Sequence, residues 1–175
     1  MKKCLLVVLF LSANISAEVY TVKKKNLSIK VSLEVNKDFE VKESFLNTPL
    51  LIWSRELKHH GPSIGLFPLA SLPKHALSSK ASKSNLNSFK KEKEENLKSL
   101  RASKIAFGKP KLDDNQVTYT YSYNLPGSVS VYSTEVLMNC SGKGLKVTSV
   151  VRKADYKKFK SVLTKFFNSI KCPKI

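Results

Sequence analysis

Three histidines, His59, His60 and His75, are the first residues to test for chemistry, since imidazole serves both as metal ligand and as general base. His59 and His60 are adjacent, so in an extended segment their rings point to opposite sides. No Asp or Glu follows either at i+3 or i+4. They read as solvated loop histidines, and no metal or cofactor is expected. Nucleophile motifs are equally thin. There is no Gly-x-Ser-x-Gly turn, and the Ser/Lys-rich stretch from Ser79 to Lys83 offers only chance matches to Ser-x-x-Lys. Asp113-Asp114 and Glu94-Glu95 are adjacent pairs in an expected turn and on an expected helix, without the facing, desolvated geometry of an acid–base pair. Ser141-Gly142-Lys143-Gly144 lacks the spacing of a phosphate loop and reads as a hairpin turn. No catalytic residue is assigned, which argues for a non-enzymatic protein.

Two other groups carry more. Cys140 and Cys172 lie outside any Cys-x-x-Cys or Cys-x-His spacing. In an exported chain such a pair reads as a disulfide. Tyr119, Tyr121 and Tyr123 alternate with Thr118, Thr120 and Ser122. Such a row is either a stacking platform or half-buried sheet packing, and packing is the expectation here.

Export is itself read from the N-terminus. Met1-Lys2-Lys3 is followed by an apolar run from Leu5 to Leu11, then by small and polar residues up to Ala17 and the first acidic residue, Glu18. That is the order of a secretory signal peptide, and the run is far shorter than the roughly 20 residues of a membrane span. Cys4 precedes the apolar run, so it is not a lipidation site. We expect residues 1–17 to be removed and 18–175 to form one exported domain, periplasmic or secreted, with no transmembrane segment.

The whole chain carries 31 Lys+Arg against 13 Asp+Glu, a net charge of +18 in 175 residues, and losing Lys2 and Lys3 lowers this to about +16. Only Arg55, Arg101 and Arg152 are arginines. Readers of nucleic acid favour the planar arginine fork over lysine, and export removes nucleic acid from the expected partners. The charge is either the composition bias of a lysine-rich proteome or an attraction to an anionic surface or acidic protein.

These residues need elements to hold them. Leu27, Ile29, Val31, Leu33 and Val35 alternate with polar residues, a strand with one buried face, preceded by the short strand Val19–Val22. Asn36-Lys37-Asp38 is a turn before a new alternation at Phe39 and Val41. Leu50 to Trp53 reads as a buried strand with Pro49 at its start, and Ser63 to Leu69 as another. Lys74 to Asn85 reads as a long loop. A surface helix is expected from Leu86 to about Ser103, with Asn85 as N-cap, and Lys93 occupies a position where its apolar stripe lacks a residue. Val117–Tyr123, Val129–Cys140 and Leu145–Val151 form an antiparallel meander, with a change of apolar parity between Val131 and Val136 that predicts a bulge.

The last segment is a helix from about Asp155 to Ile170. Tyr156, Phe159, Val162, Leu163, Phe166, Phe167 and Ile170 share an arc of about 140° at helical spacing. Lys153, Lys157, Lys158, Lys160 and Lys165 fall outside it, so they form a lysine ridge and the expected contact with an anionic partner. A Cys140–Cys172 bond would staple this helix to the meander.

The order of elements resembles the PsbP-like fold, which includes the DcrB-like periplasmic proteins. The carriers are the Leu50–Trp53 and Ile64–Leu66 strands, then Val117–Tyr123, Glu135–Cys140, Leu145–Val151 and the Phe159–Ile170 helix. The aromatic-Pro-x-x-Trp strand start often seen there is missing, and no functional residue is carried over. The resemblance implies an α/β/α sandwich and a non-catalytic accessory or assembly role. The residues themselves point to an α+β domain: a mostly antiparallel sheet with a surface helix and a packed C-terminal helix. The expected function is an exported binding or accessory protein of the cell envelope, with a lysine-rich surface for an anionic partner. A hydrolase with a dispersed site and a small-molecule or lipid carrier are the alternatives.

Overall fold

The computed structural model describes residues 17–172 apart from 46, 55, 73–82, 114–115 and 128. The expected leader up to Ser16, His75, Arg55 and most of the expected Ser/Lys loop therefore lie outside the described residues, as does the side chain of His59.

The chain begins with a hairpin, β1 (Glu18–Lys24) and β2 (Leu27–Leu33), followed by β3 (Glu40–Phe45), β4 (Thr48–Trp53) and β5 (Ser63–Leu69). Helix α1 (Lys83–Ser99) leads into β6 (Ser103–Phe107) and β7 (Lys111–Asp113). The meander β8 (Gln116–Leu125), β9 (Val129–Cys140) and β10 (Lys143–Arg152) is closed by α2 (Tyr156–Ser169). Strands β3 to β10 make one eight-stranded sheet in the order β3-β4-β5-β10-β9-β8-β6, with β7 beside β6 on β8, and every pairing is antiparallel. The architecture is α+β, as the residue pattern predicted.

Turn chemistry sets the meander. Ser141 and Gly142 both have positive φ, at 53° and 84°, the two-residue turn whose twist matches flanking strands. Pro126 precedes Gly127 at φ 80°, a pairing that suits a type II turn.

Helix α2 and the β1–β2 hairpin share one face of the sheet. Phe159, Leu163, Phe166 and Ile170 are buried there with Leu50, Ile52, Leu66, Val136, Val147 and the hairpin's Val22, Ile29, Val31 and Leu33. Each large apolar side chain so buried contributes about 1.5–3 kcal/mol. Ser32 and Lys171 exchange both backbone hydrogen bonds at 2.8 Å, so the chain end after α2 pairs with β2. Cys172 follows, disulfide-bonded to Cys140 with the two Cα atoms 5.2 Å apart. Helix α1 covers part of the opposite face: Phe89 is buried with Val117, Tyr119 and Leu137, and Leu97 with Ala102 and Tyr121.

Several expectations are corrected. The first helix runs Lys83–Ser99, so Asn85 lies inside it and is not the N-cap. It stops four residues before the expected end, because the chain closes a C-cap that its sequence does not advertise. Arg101 takes φ 58°, the Ala102 amide donates to the Leu97 carbonyl at 3.0 Å, and the Arg101 amide donates to Lys98 at 2.8 Å. This is the Schellman pattern with arginine where glycine is usual. Leu100 is consequently left exposed. The unexpected β6 and β7 follow. The bulge expected between Val131 and Val136 is absent: β9 pairs in unbroken register with both β8 and β10. Residues Ser133 to Met138 are all buried because both sheet faces are covered there, so apolar parity is no longer a guide. The irregularity lies instead in β6, between Ser103 and Ala106.

Candidate functional site

The five lysines singled out by helical spacing are all exposed. Lys157, Lys158, Lys160 and Lys165 lie on the outer side of α2, and Lys153 lies in the turn before it. The helix can show them because Phe159, Leu163 and Phe166 anchor its other side in the core. Of these five, Lys158 also lies over an aromatic ring, its Nζ 5.3 Å from the centre of Phe159. Such a layout keeps long cationic heads in water while their stems lie along the helix.

Beside this ridge, α2 and the β7–β8 margin of the sheet enclose an open groove of about 470 Å³. Thr118, Thr120 and Thr134 line its floor, and Lys109, Lys111 and Lys160 stand at its walls. One carboxylate, Asp113, shares it. The expected cation ridge is thus continuous with a hydroxyl-lined furrow that the sequence pattern did not indicate.

His60, expected to be a solvated loop histidine, lies in the short 3-10 turn Lys58–His60 and has side-chain partners. His60 contacts the Arg152 guanidinium, and its Nδ1 lies 3.9 Å from Asp155. Arg152 also holds Asp155 directly, at 2.6 Å from Nε. Asp155 sits at the start of α2 yet makes no side-chain cap bond. Among the described residues no group of three His, Cys, Asp or Glu side chains could hold a metal. Glu94 pairs with Lys98 at 2.7 Å one helical turn on.

The tyrosine row is packing. Tyr119 and Tyr121 are buried beneath α1, and Tyr119 stacks on Phe89 with ring centres 3.8 Å apart. What sequence reasoning missed lies beside them. Glu135, in the middle of β9, is only 3% exposed. Its carboxylate receives Lys93 of α1 at 2.7 Å, and the Tyr121 hydroxyl donates to it at 3.4 Å. The Lys93 ammonium also lies 5.5 Å from the Phe89 ring centre and 5.6 Å from that of Tyr121. Burial first, and then the Glu135 charge, raise the Tyr119 phenol to about 12 and lift Tyr121 as well. Both phenols therefore stay protonated, as donors. A signal was present in two halves: a lysine in an apolar helical position and a glutamate in an otherwise apolar strand. Only the packing of α1 across β9 joins them.

The fold is PsbP-like. The solution structure of cyanobacterial PsbP (CyanoP) from Synechocystis superposes with a TM-score of 0.56 at 13% identity, covering 99% of both chains. LpqN, involved in cell envelope biogenesis of Mycobacterium tuberculosis, matches at a TM-score of 0.54 and 13% identity over 90% of this chain and 92% of its own. The Ran-binding protein Mog1p of Saccharomyces cerevisiae matches at 0.53 and 11% over 90% and 96%. No protein-family model and no curated protein sequence matches the chain. At such identities the likeness establishes the fold, and proteins of different roles share it.

Proposed function

We propose that this chain is an exported, non-enzymatic binding or accessory protein of the cell envelope that meets an anionic envelope surface through α2. The observation that carries the reading is the lysine ridge: Lys157, Lys158, Lys160 and Lys165 are exposed on one rigidly docked helix, with Lys153 just before it. An amphipathic helix whose apolar side is already buried in its own domain cannot insert into a bilayer by that side. It binds by charge, and each lysine near an anionic leaflet contributes about 1 kcal/mol. Among the described residues no helix is long and apolar enough to cross a membrane. Export is supported by the Cys140–Cys172 disulfide, since such bonds persist in oxidising compartments, and by the leader pattern of the first 17 residues. The envelope role of LpqN agrees with this reading.

Co-sedimentation with vesicles tests it. Vesicles rich in phosphatidylglycerol should retain the protein at low salt and release it as ionic strength rises, while phosphatidylcholine vesicles should not hold it. Changing Lys157, Lys158, Lys160 and Lys165 to Gln should abolish retention without altering the circular dichroism spectrum. Retention that ignores salt, or survives the four substitutions, would refute the reading.

A further inference from the structure

On the sheet face that carries α1, a row of cross-strand neighbours runs Leu51, Gly65, Thr148, Glu135, Tyr119. Gly65 leaves a low place in it. A Cβ there would lie 2.8 Å from the Phe67 ring and 3.1 Å from the Thr48 methyl, so the ring folds over the glycine. Above this low place lies a cleft of about 290 Å³. One wall is Phe67 with its cross-strand partner Lys146, whose ammonium stands 4.9 Å from the ring centre. Lys93 and Tyr121 form the opposite wall, and Ser63 and Val150 close a third side. Val150, an apolar side chain on this face, is 36% exposed.

The charges in this cleft are unequal. Glu135 is claimed by Lys93 at 2.7 Å. Lys146 forms no ion pair among the described residues, although burial, opposed by Glu135 and assisted by Lys93 and Lys24, lowers the pKa of its ammonium. A partly buried cation without a counter-ion is costly, and an anion entering the cleft would relieve it. Ser63 and Thr148, two hydroxyl side chains able to donate to an anion, also line the cleft. Glu135 limits the charge such an anion can bring, because a dianion would face its carboxylate. Among the described residues that line the cleft there is neither an arginine fork nor a helix N-terminus to hold a phosphate. Leu51, Phe67 and Val150 offer apolar contact to the rest of the molecule.

We propose that this cleft binds a small organic monocarboxylate, with its carboxylate on Lys146 and its apolar body against Phe67 and Val150. The site is on the face opposite α2, so it stands or falls separately from the surface reading above.

Titration calorimetry on the oxidised full domain, with benzoate as the probe, tests the proposal. Benzoate should bind with one-to-one saturation. Benzamide, which has the same shape without charge, and phenyl phosphate should bind at least about tenfold more weakly. Lys146→Met should remove benzoate binding, whereas Lys165→Met should leave it intact. Amide shifts induced by benzoate should centre on Gly65, Lys146 and Thr148, a readout on the unaltered chain that does not depend on any variant folding. Absence of saturable benzoate binding, equal affinity for benzamide, unchanged binding by a folded Lys146→Met protein, or shifts centred elsewhere would each overturn it.

Discussion

Glu135 is the most consequential single residue that the structure reveals. A carboxylate held at 3% exposure is stable there only with a partner, and Lys93 supplies one from a different element. Lys93→Met would leave that charge buried and unpaired, and should destabilise the fold by about 3 kcal/mol in urea unfolding. Adding Glu135→Gln to it should recover most of the loss. The double-mutant cycle is the check, and additive effects would show that the pair is not coupled. The half-buried Lys146 illustrates the opposite situation, a cation that the fold exposes only partly, set over the Phe67 ring with no ion pair among the described residues. The two lysines cannot be told apart from the exposed lysines of α2 by residue type. Lys93 is marked only by a gap in a helical stripe, and Lys146 only by its place between Leu145 and Val147 on a covered strand.

Helix ends and helix faces were unequally legible. The stripe from Tyr156 to Ile170 is strong enough that its docking and its bounds follow from spacing alone, within a residue at each end. In α1 only Phe89 and Leu97 are buried among the described apolar positions, so the pattern locates the helix without fixing its end. The end is set by Arg101 in the left-handed region, a conformation costing a non-glycine residue roughly 1–2 kcal/mol. Arg101→Gly should therefore raise stability by up to about 1 kcal/mol, read as a shift of the urea midpoint at unchanged slope. A fall in stability would mean that the arginine side chain contributes more than its backbone costs. The misplaced bulge in β9 has a related origin. Period-two alternation reports one buried face, and β9 has two, so its residues lose their parity in the middle of the sheet.

The molecule as a whole is tied at its ends. The disulfide joins the C-terminal end of α2 to β9 across a separation of 32 residues, while Lys171 pairs with β2. In the chain-entropy model a loop of that size is worth about 3–4 kcal/mol, and reduction or Cys172→Ser should lower unfolding stability by that amount. An alkaline titration reads the whole core. Burial, as the largest cause, raises Tyr119 and Tyr156 from 10.0 to about 12. The folded state then holds protons that the unfolded chain releases, so this stabilisation is complete below pH 10 and is lost as pH climbs through about 12. Lys146 works in the reverse sense: its pKa is lowered by burial from 10.5, so its cost to the fold is felt at neutral pH and fades as pH rises toward that value. Tyrosinate absorbance should thus lag that of a free tyrosine and rise together with the loss of the circular dichroism signal. Early ionisation of Tyr119, Tyr121 and Tyr156 in a folded protein would contradict the burial described.

Sequence by itself determined the features that repeat along the chain. Alternation marked β2 and β8, turn residues marked Pro126-Gly127 and Ser141-Gly142, and helical spacing separated the apolar stripe of α2 from its lysine ridge. Those signals are local, because a strand or helix must place like residues at its own period to bury one side. Only the tertiary structure decided which charged residues turn inward. Lys93 meets Glu135 across 42 positions because α1 packs across β9, and Lys146 comes to line a cleft with Gly65 and Phe67 because β5 pairs with β10. No local period encodes that choice, since it depends on where a helix comes to rest.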